Sequence, residues 1–199
     1  FLLRGLGGKT ELKLLSPRYR LFHTFRRGIK TLIFEILELK LLQKGYTMMH
    51  SACLEKDGEA LVLVGLPNTG KTFTTIRLVP DYDFNFMSDD MTILGPDALV
   101  YSFPTPMTIH IIHVKLLNLN LPWSLRASVR LRWYLKSVPR LGRLIPEFRL
   151  DYRRILGDKV TLIKKAKAAR IFFLERGPKG SERLGKRAAL GKLVPVSYT

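Results

Sequence analysis

The sequence has a single cysteine, Cys53, among 199 residues, which excludes an internal disulfide and a cysteine-based zinc site. That scarcity fits a reducing compartment, and the cytoplasm is the expected location. Long apolar runs are also missing: the longest windows, such as Thr31 to Leu42, are interrupted by Glu35, Glu38 and Lys40. A membrane-spanning helix requires about 18 or more uninterrupted residues, so no integral membrane protein is expected. Neither Asn-Lys-x-Asp nor Asp-x-x-Gly occurs anywhere, which argues against a GTPase. Acidic residues are few, 16 against 34 basic ones, leaving a net charge of +18. What is abundant is apolar side chain, 46% of the chain, enough for a hydrophobic interior and too much for intrinsic disorder.

The positive charge is unevenly spread. Residues 1–49 carry ten basic and three acidic side chains, whereas residues 50–114 carry three and eight. Residues 115–170 carry fifteen and three, and residues 171–199 six and two. A mildly acidic centre is thus flanked by surfaces that attract anions, and the centre is where chemistry is expected. The flanks are suited to an anionic partner.

Periodicity organises the chain as one domain, 1–199, of class α/β with a mixed sheet. From Gly28 to Lys44, Ile29, Leu32, Ile33, Ile36 and Leu37 recur at helical spacing, and Gly45 is placed to end that helix. Thr47–Leu54 reads as a strand, Lys56-Asp57-Gly58 as a turn, and Ala60–Val64 as a second strand, giving a hairpin. Because Ala60–Val64 is continuously apolar, it is expected to be a central strand covered on both faces. Thr72–Leu78 follows as a helix stopping before Pro80, then Phe84–Met87 as a strand ending at Ser88-Asp89-Asp90. Met91–Leu94 and Leu99–Phe103 flank Gly95-Pro96-Asp97 as a further hairpin. Residues 45–110 form the expected core. Residues 115–165, rich in Arg and Leu with Pro122, Pro139 and Pro146, are expected to be a basic, mainly helical insertion. Arg170–Leu174 returns to strand, and residues 177–199 are expected to be a flexible basic tail.

The chemistry concentrates in the core. Gly65-Leu66-Pro67-Asn68-Thr69-Gly70-Lys71-Thr72 is a complete G-x-x-x-x-G-K-[ST] match between an apolar strand and a helix. Backbone N–H groups freed by such a loop and by the helix start point at a polyphosphate. Lys71 would bridge the outer phosphates, and the Thr72 hydroxyl would ligate Mg²⁺. The nucleotide contacts expected are Gly65, Pro67, Asn68, Thr69, Gly70, Lys71, Thr72 and the following position, Phe73. Asp89 and Asp90 end the next strand, where open α/β sheets place ligand-binding groups. One carboxylate can serve a metal while the other accepts a proton from an attacking hydroxyl; a plain Asx turn is the alternative. His50 lies in the strand before the loop. Weaker features are His110 and His113, three apart with no third ligand nearby, and Ser124–Lys136. The latter reads as a basic helix able to meet nucleic acid or anionic lipid, or as a solvated helix whose arginines cover apolar surface.

His50-Ser51-Ala52, the Gly65–Thr72 loop and Ser88-Asp89-Asp90, in this order and spacing, resemble the nucleotide-binding core of HPr kinase/phosphorylase and related phosphoenolpyruvate carboxykinase-like kinases. Phe103-Pro104-Thr105-Pro106 is similar to the proline-bearing strand end that follows in them. The resemblance covers residues 45–110 and implies an HPr kinase C-terminal domain-like fold. It also implies ATP and Mg²⁺ as cofactors, and transfer of the γ-phosphoryl group to a hydroxyl of a small metabolite or a protein serine. It assigns Asp89 as base, Asp90 and Thr72 to the metal, and His50 and Lys71 to the catalytic group, and it allows a homo-oligomer. The Glu-Ile-Arg-Gly stretch of HPr kinases has no counterpart, since Met107–Asn120 contains no carboxylate. A conventional P-loop NTPase or nucleoside-type kinase is the alternative, as is a nucleotide-regulated module binding nucleic acid or membrane through the basic flanks.

Overall fold

A computed structural model describes residues 2–4, 11–13, 23–119, 121–138, 142, 145–157, 160–177 and 180–197. Pro139 of the basic segment and Lys179 of the tail lie outside the described residues. The chain forms two compact units, residues 1–48 and 49–199. In the first, β1 (Leu2–Arg4) and β2 (Glu11–Lys13) pair antiparallel, and the helix α1 (His23–Leu42) follows. The chain leaves α1 at Gly45, whose N–H donates to Leu42 O while Tyr46 N–H donates to Leu41 O.

The architecture is α/β, with six helices and a mixed sheet of seven strands among the described residues. In chain order these are β3 (Thr47–Met49), β4 (Ser51–Lys56), β5 (Glu59–Val64), the helix α2 (Lys71–Tyr82), β6 (Asn85–Ser88), β7 (Met91–Leu94) and β8 (Leu99–Phe103). After them, β9 (Met107–Thr108) pairs apart from the main sheet with β10 (Arg149–Leu150). Helices α3 (Ile111–Leu116) and α4 (Trp123–Ser137) lie between that pair, followed by α5 (Tyr152–Leu156), β11 (Lys165–Phe173) and α6 (Lys186–Ser197). The sheet order is β3-β7-β8-β11-β5-β4-β6. β5 is therefore interior, antiparallel to β4 on one side and parallel to β11 on the other.

Alternation sorts the strand residues onto two apolar faces. Leu54 and Phe86 join Ile76 and Val79 of α2, together with Met107, Ile109, Leu150 and Tyr152, on one face. Cys53, Val62, Val64 and Met87 meet Val100 and Ala166 on the other, with Leu193 of α6 against them. This double coverage is why Ala60–Val64 carries no polar alternation. It also makes Cys53 inert, since burial raises its thiol to about 12.

Several boundaries differ from the sequence reading. The strand expected over Thr47–Leu54 is broken at His50, where Ser51 Oγ donates to Met49 O at 3.4 Å, a local bond that competes with the strand ladder. Helix α2 runs through Pro80 rather than stopping before it. Pro80 falls in the last turn, where its missing N–H removes one bond, and the helix ends at Asp83 with φ 56°. β11 begins at Lys165, because its first residues pair antiparallel with β8 (Lys165↔Tyr101, Lys167↔Leu99) before it turns to β5. The tail expected to be flexible contains α6, held by Leu193 in the core and by the Lys192–Glu175 ion pair at 2.5 Å. Within 115–165, where a mainly helical segment is expected, α4, α5 and the end of α3 are helical, about half of its described residues, and β10 lies between α4 and α5.

Phe86 is fully buried and stacks on Tyr152 with ring centroids 4.7 Å apart, so it joins β6 to the basic segment. Replacing it by alanine leaves a cavity that the sheet backbone cannot collapse into. We expect Phe86→Ala to cost about 3–5 kcal/mol, read as a lower urea midpoint at unchanged slope.

Candidate active site

The loop between β5 and α2 is shaped by close packing. At Gly65 a Cβ would meet Thr69 Oγ1 at 2.5 Å and Leu174 O at 2.8 Å, so no larger residue fits while Leu174 N–H donates to Val64 O at 2.7 Å. Gly70 takes φ 103°, the left-handed region, and from there the chain enters α2. Thr69 Oγ1 donates to Leu66 O at 2.8 Å and closes the turn. Pro67 and Asn68 are exposed, Thr69, Gly70, Thr72 and Phe73 half-buried, and Lys71 buried. The first amides of α2 have no intrahelical acceptors by geometry, so the helix presents an N–H cluster to the loop interior.

Lys71 leaves the helix start and folds back over the loop, its ammonium donating to Gly65 O at 2.5 Å and Leu66 O at 3.1 Å. Burial lowers its pKa, an effect that Asp90 and Asp89 oppose. A cation buried against neutral carbonyls, near two carboxylates, is an electrostatic arrangement that an incoming anion improves.

Asp89 and Asp90 occupy the bend between β6 and β7, and buried hydroxyls hold that bend. Ser88 Oγ and Thr92 Oγ1 share a hydrogen bond of 2.8 Å, and Thr92 Oγ1 donates to Ser51 O at 3.2 Å. The bend is thereby tied to the residue after His50. His50 Nδ1 lies 3.6 Å from Asp90 Oδ1, too long for a direct hydrogen bond and close enough for the carboxylate to favour a proton on the ring. Burial lowers the His50 pKa, as does Lys71, while Asp90 raises it. The imidazole is accordingly neutral at pH 7 and can accept or relay a proton.

Asp89 is buried, and Thr72 Oγ1 donates to its Oδ2 at 2.9 Å. Its other oxygen, Oδ1, has no hydrogen-bond partner. Burial pushes the carboxyl up to about 7 against the opposing Thr72 bond. An orphaned carboxylate oxygen beside a hydroxyl is a donor set suited to a small hard cation. Among the described residues no three His, Cys, Asp or Glu side chains converge, so the protein would supply few ligands and leave the rest to phosphate and water. Such an oxygen-only donor set is of the kind that would hold Mg²⁺. His110 and His113 do not build a metal centre: the His110 N–H donates to His113 Nδ1 at 3.3 Å, which occupies that nitrogen.

The structure thus brings together Gly65 through Thr72, His50, Asp89 and Asp90, but it pairs the carboxylates differently from the resemblance. Thr72 touches Asp89, not Asp90, and Asp90 faces His50. Adjacent residues at a bend project in different directions, and sequence alone gives no means of deciding which goes where. Sequence reasoning also missed Arg176. Its Nε and Nη2 donate to Asn68 O at 3.3 and 3.1 Å across 108 residues of chain. The only sequence signal is its place just past β11, whose parallel partner β5 feeds the loop. No protein-family model matches the chain, and no curated protein matches it.

The raised Asp89 pKa fixes a pH dependence. The folded state keeps a proton that the unfolded chain releases near pH 4, so the contribution of Asp89 to stability falls as pH rises from about 4 to about 7 and levels off above, against the opposite slope from His50 and His113, whose pKa values burial lowers. We expect Asp89→Asn, assayed with EDTA and no nucleotide, to remove that falling contribution and raise the unfolding temperature at pH 8 by about 5 °C or more.

Proposed function

We propose that the protein is an ATP-dependent kinase, HPr kinase-like in its core, which moves the γ-phosphoryl group to a hydroxyl acceptor. The observation that carries the reading is the convergence of three separate pieces of sequence. These are a strand-loop-helix with the full P-loop pattern, Thr72 bonded to Asp89, and His50 set 3.6 Å from Asp90. A conventional P-loop NTPase has no use for the last of these contacts.

In this reading the loop amides and Lys71 bind the β- and γ-phosphates, Lys71 exchanging its carbonyl partners for phosphate oxygens. Thr72 and Asp89 are the residues that would hold Mg²⁺, which when bound supplies charge neutralisation on the phosphates. Asp90, half-exposed and next to neutral His50, is the base. It accepts the acceptor's hydroxyl proton as that oxygen attacks the γ-phosphorus and the bond to the ADP oxygen breaks. His50 orients Asp90 and shares the proton. Arg176 grips the loop from outside and adds a second cation at the phosphate end.

Calorimetry with ADP and Mg²⁺ tests the nucleotide site: we expect Lys71→Ala to weaken binding by about 100-fold or more, and unchanged affinity would refute the P-loop assignment. With an acceptor found by γ-labelled ATP, Asp90→Asn should lower kcat by about 10²–10⁴-fold while sparing ADP affinity. If Asp90→Asn instead keeps the wild-type rate, the base assignment fails. Arg176→Ala should raise the ADP Kd by about tenfold, through a looser loop.

A further inference from the structure

Helix α4 stands outside the nucleotide site, and its solvent face is unusual. Trp123 is 82% exposed, Leu131 60% and Tyr134 65%. With Ala127 they recur at steps of four, four and three, so they form one stripe along the helix. The stripe points away from the core, because the helix's buried residue, Val129, lies on the opposite side. Val138 extends the stripe at the C-terminal end and is also exposed. Arg126 and Arg130 flank it, and α4 contains no acidic residue. The run from Ala98 to Pro146 holds no Asp or Glu at all. On neighbouring α3, Ile112 and Leu116 are exposed at 53% and 61%.

We propose that α4 docks the protein onto an anionic lipid surface, with Trp123, Leu131 and Tyr134 entering the headgroup boundary and Arg126 and Arg130 meeting lipid phosphates. Charge selects an anionic partner, since α4 has four basic side chains and no carboxylate of its own, and among the described residues Glu147, beside its Lys136, is the one acidic neighbour that the hydrogen bonds and charge interactions of the helix show. The apolar side chains select lipid over nucleic acid. Leu131, Val138, Ile112 and Leu116 are aliphatic and offer nothing to stack on a base, whereas exposed Trp and Tyr beside Arg suit the interface between headgroups and acyl chains. No helix among the described residues is long and apolar enough to cross a membrane, so the attachment is peripheral.

The chain carries its own probe, because both of its tryptophans, Trp123 and Trp133, lie on α4. The experiment titrates the 199-residue protein with phosphatidylcholine vesicles containing about 30% phosphatidylglycerol, reading tryptophan emission and co-sedimentation. We expect a blue shift and sedimentation with these vesicles, little of either with pure phosphatidylcholine, and release by salt. Leu131→Glu with Tyr134→Ala, and separately Arg130→Glu, should each weaken vesicle binding by about tenfold or more while leaving ADP affinity and the circular dichroism spectrum unchanged. These positions are on the surface, so misfolding does not obscure the result. Unshifted emission with anionic vesicles would overturn the proposal. So would equal binding to neutral vesicles, single-stranded RNA bound more tightly than vesicles, or a dimer in solution that Leu131→Glu dissociates.

Discussion

The carboxylate of Asp89 is taken out of water with one oxygen on the Thr72 hydroxyl and the other on nothing. An unpaired buried oxygen costs free energy, and the surrounding fold has to hold it there. The buried hydroxyls of Ser88 and Thr92 do so by tying the bend that carries Asp89 to the backbone at the start of β4. The same tie brings His50 to Asp90. Remove the bend's bracing and the helix start, the strand end and the histidine lose their common reference. The cost of Asp89 is therefore the feature that relates the site to the core: two apolar faces of sheet, each well packed, offset one badly placed oxygen.

Charge is partitioned on the same plan. The lysine of the loop, two carboxylates and a histidine sit within a centre whose net charge is negative, while the basic residues occupy the segments around it. Desolvation moves three of these groups toward the neutral form, with Lys71 and His50 shifted down and Asp89 up. These shifts act in concert because the groups are mutually close. Under the proposed function, a polyanion at the loop would reverse the balance for Lys71, and a metal would reverse it for Asp89.

Much of this was legible in the chain. The P-loop pattern carries its own geometry, since the glycines, lysine and threonine each have a steric or electrostatic reason to stand where they do. Ala60–Val64 betrayed a strand buried on both faces because it lacks polar alternation. The two hairpins were marked by Lys56-Asp57-Gly58 and Gly95-Pro96-Asp97. What local pattern could not reveal was long-range: Arg176 meets Asn68 only because β11 runs beside β5, and β11 extends to Lys165 only because β8 lies beside it. Pro80 misled because proline's penalty depends on how many turns follow, which is settled by Asp83 and not by the proline. The pairing of Asp89 with Thr72 and Asp90 with His50 turns on a single bend.

β11 has a consequence for synthesis. The strand that delivers the Gly65–Thr72 loop needs a neighbour made more than a hundred residues later, so during translation β5 can pair only with β4 until residues 165–173 leave the ribosome. For that interval one edge of an apolar strand presents unpaired N–H and C=O groups, the situation most prone to intermolecular strand addition. A nascent chain stalled within the basic segment would hold a recognisable P-loop sequence without the strand that supports its far side. The Gly65–Thr72 loop therefore acquires its full support only once β11 has been made.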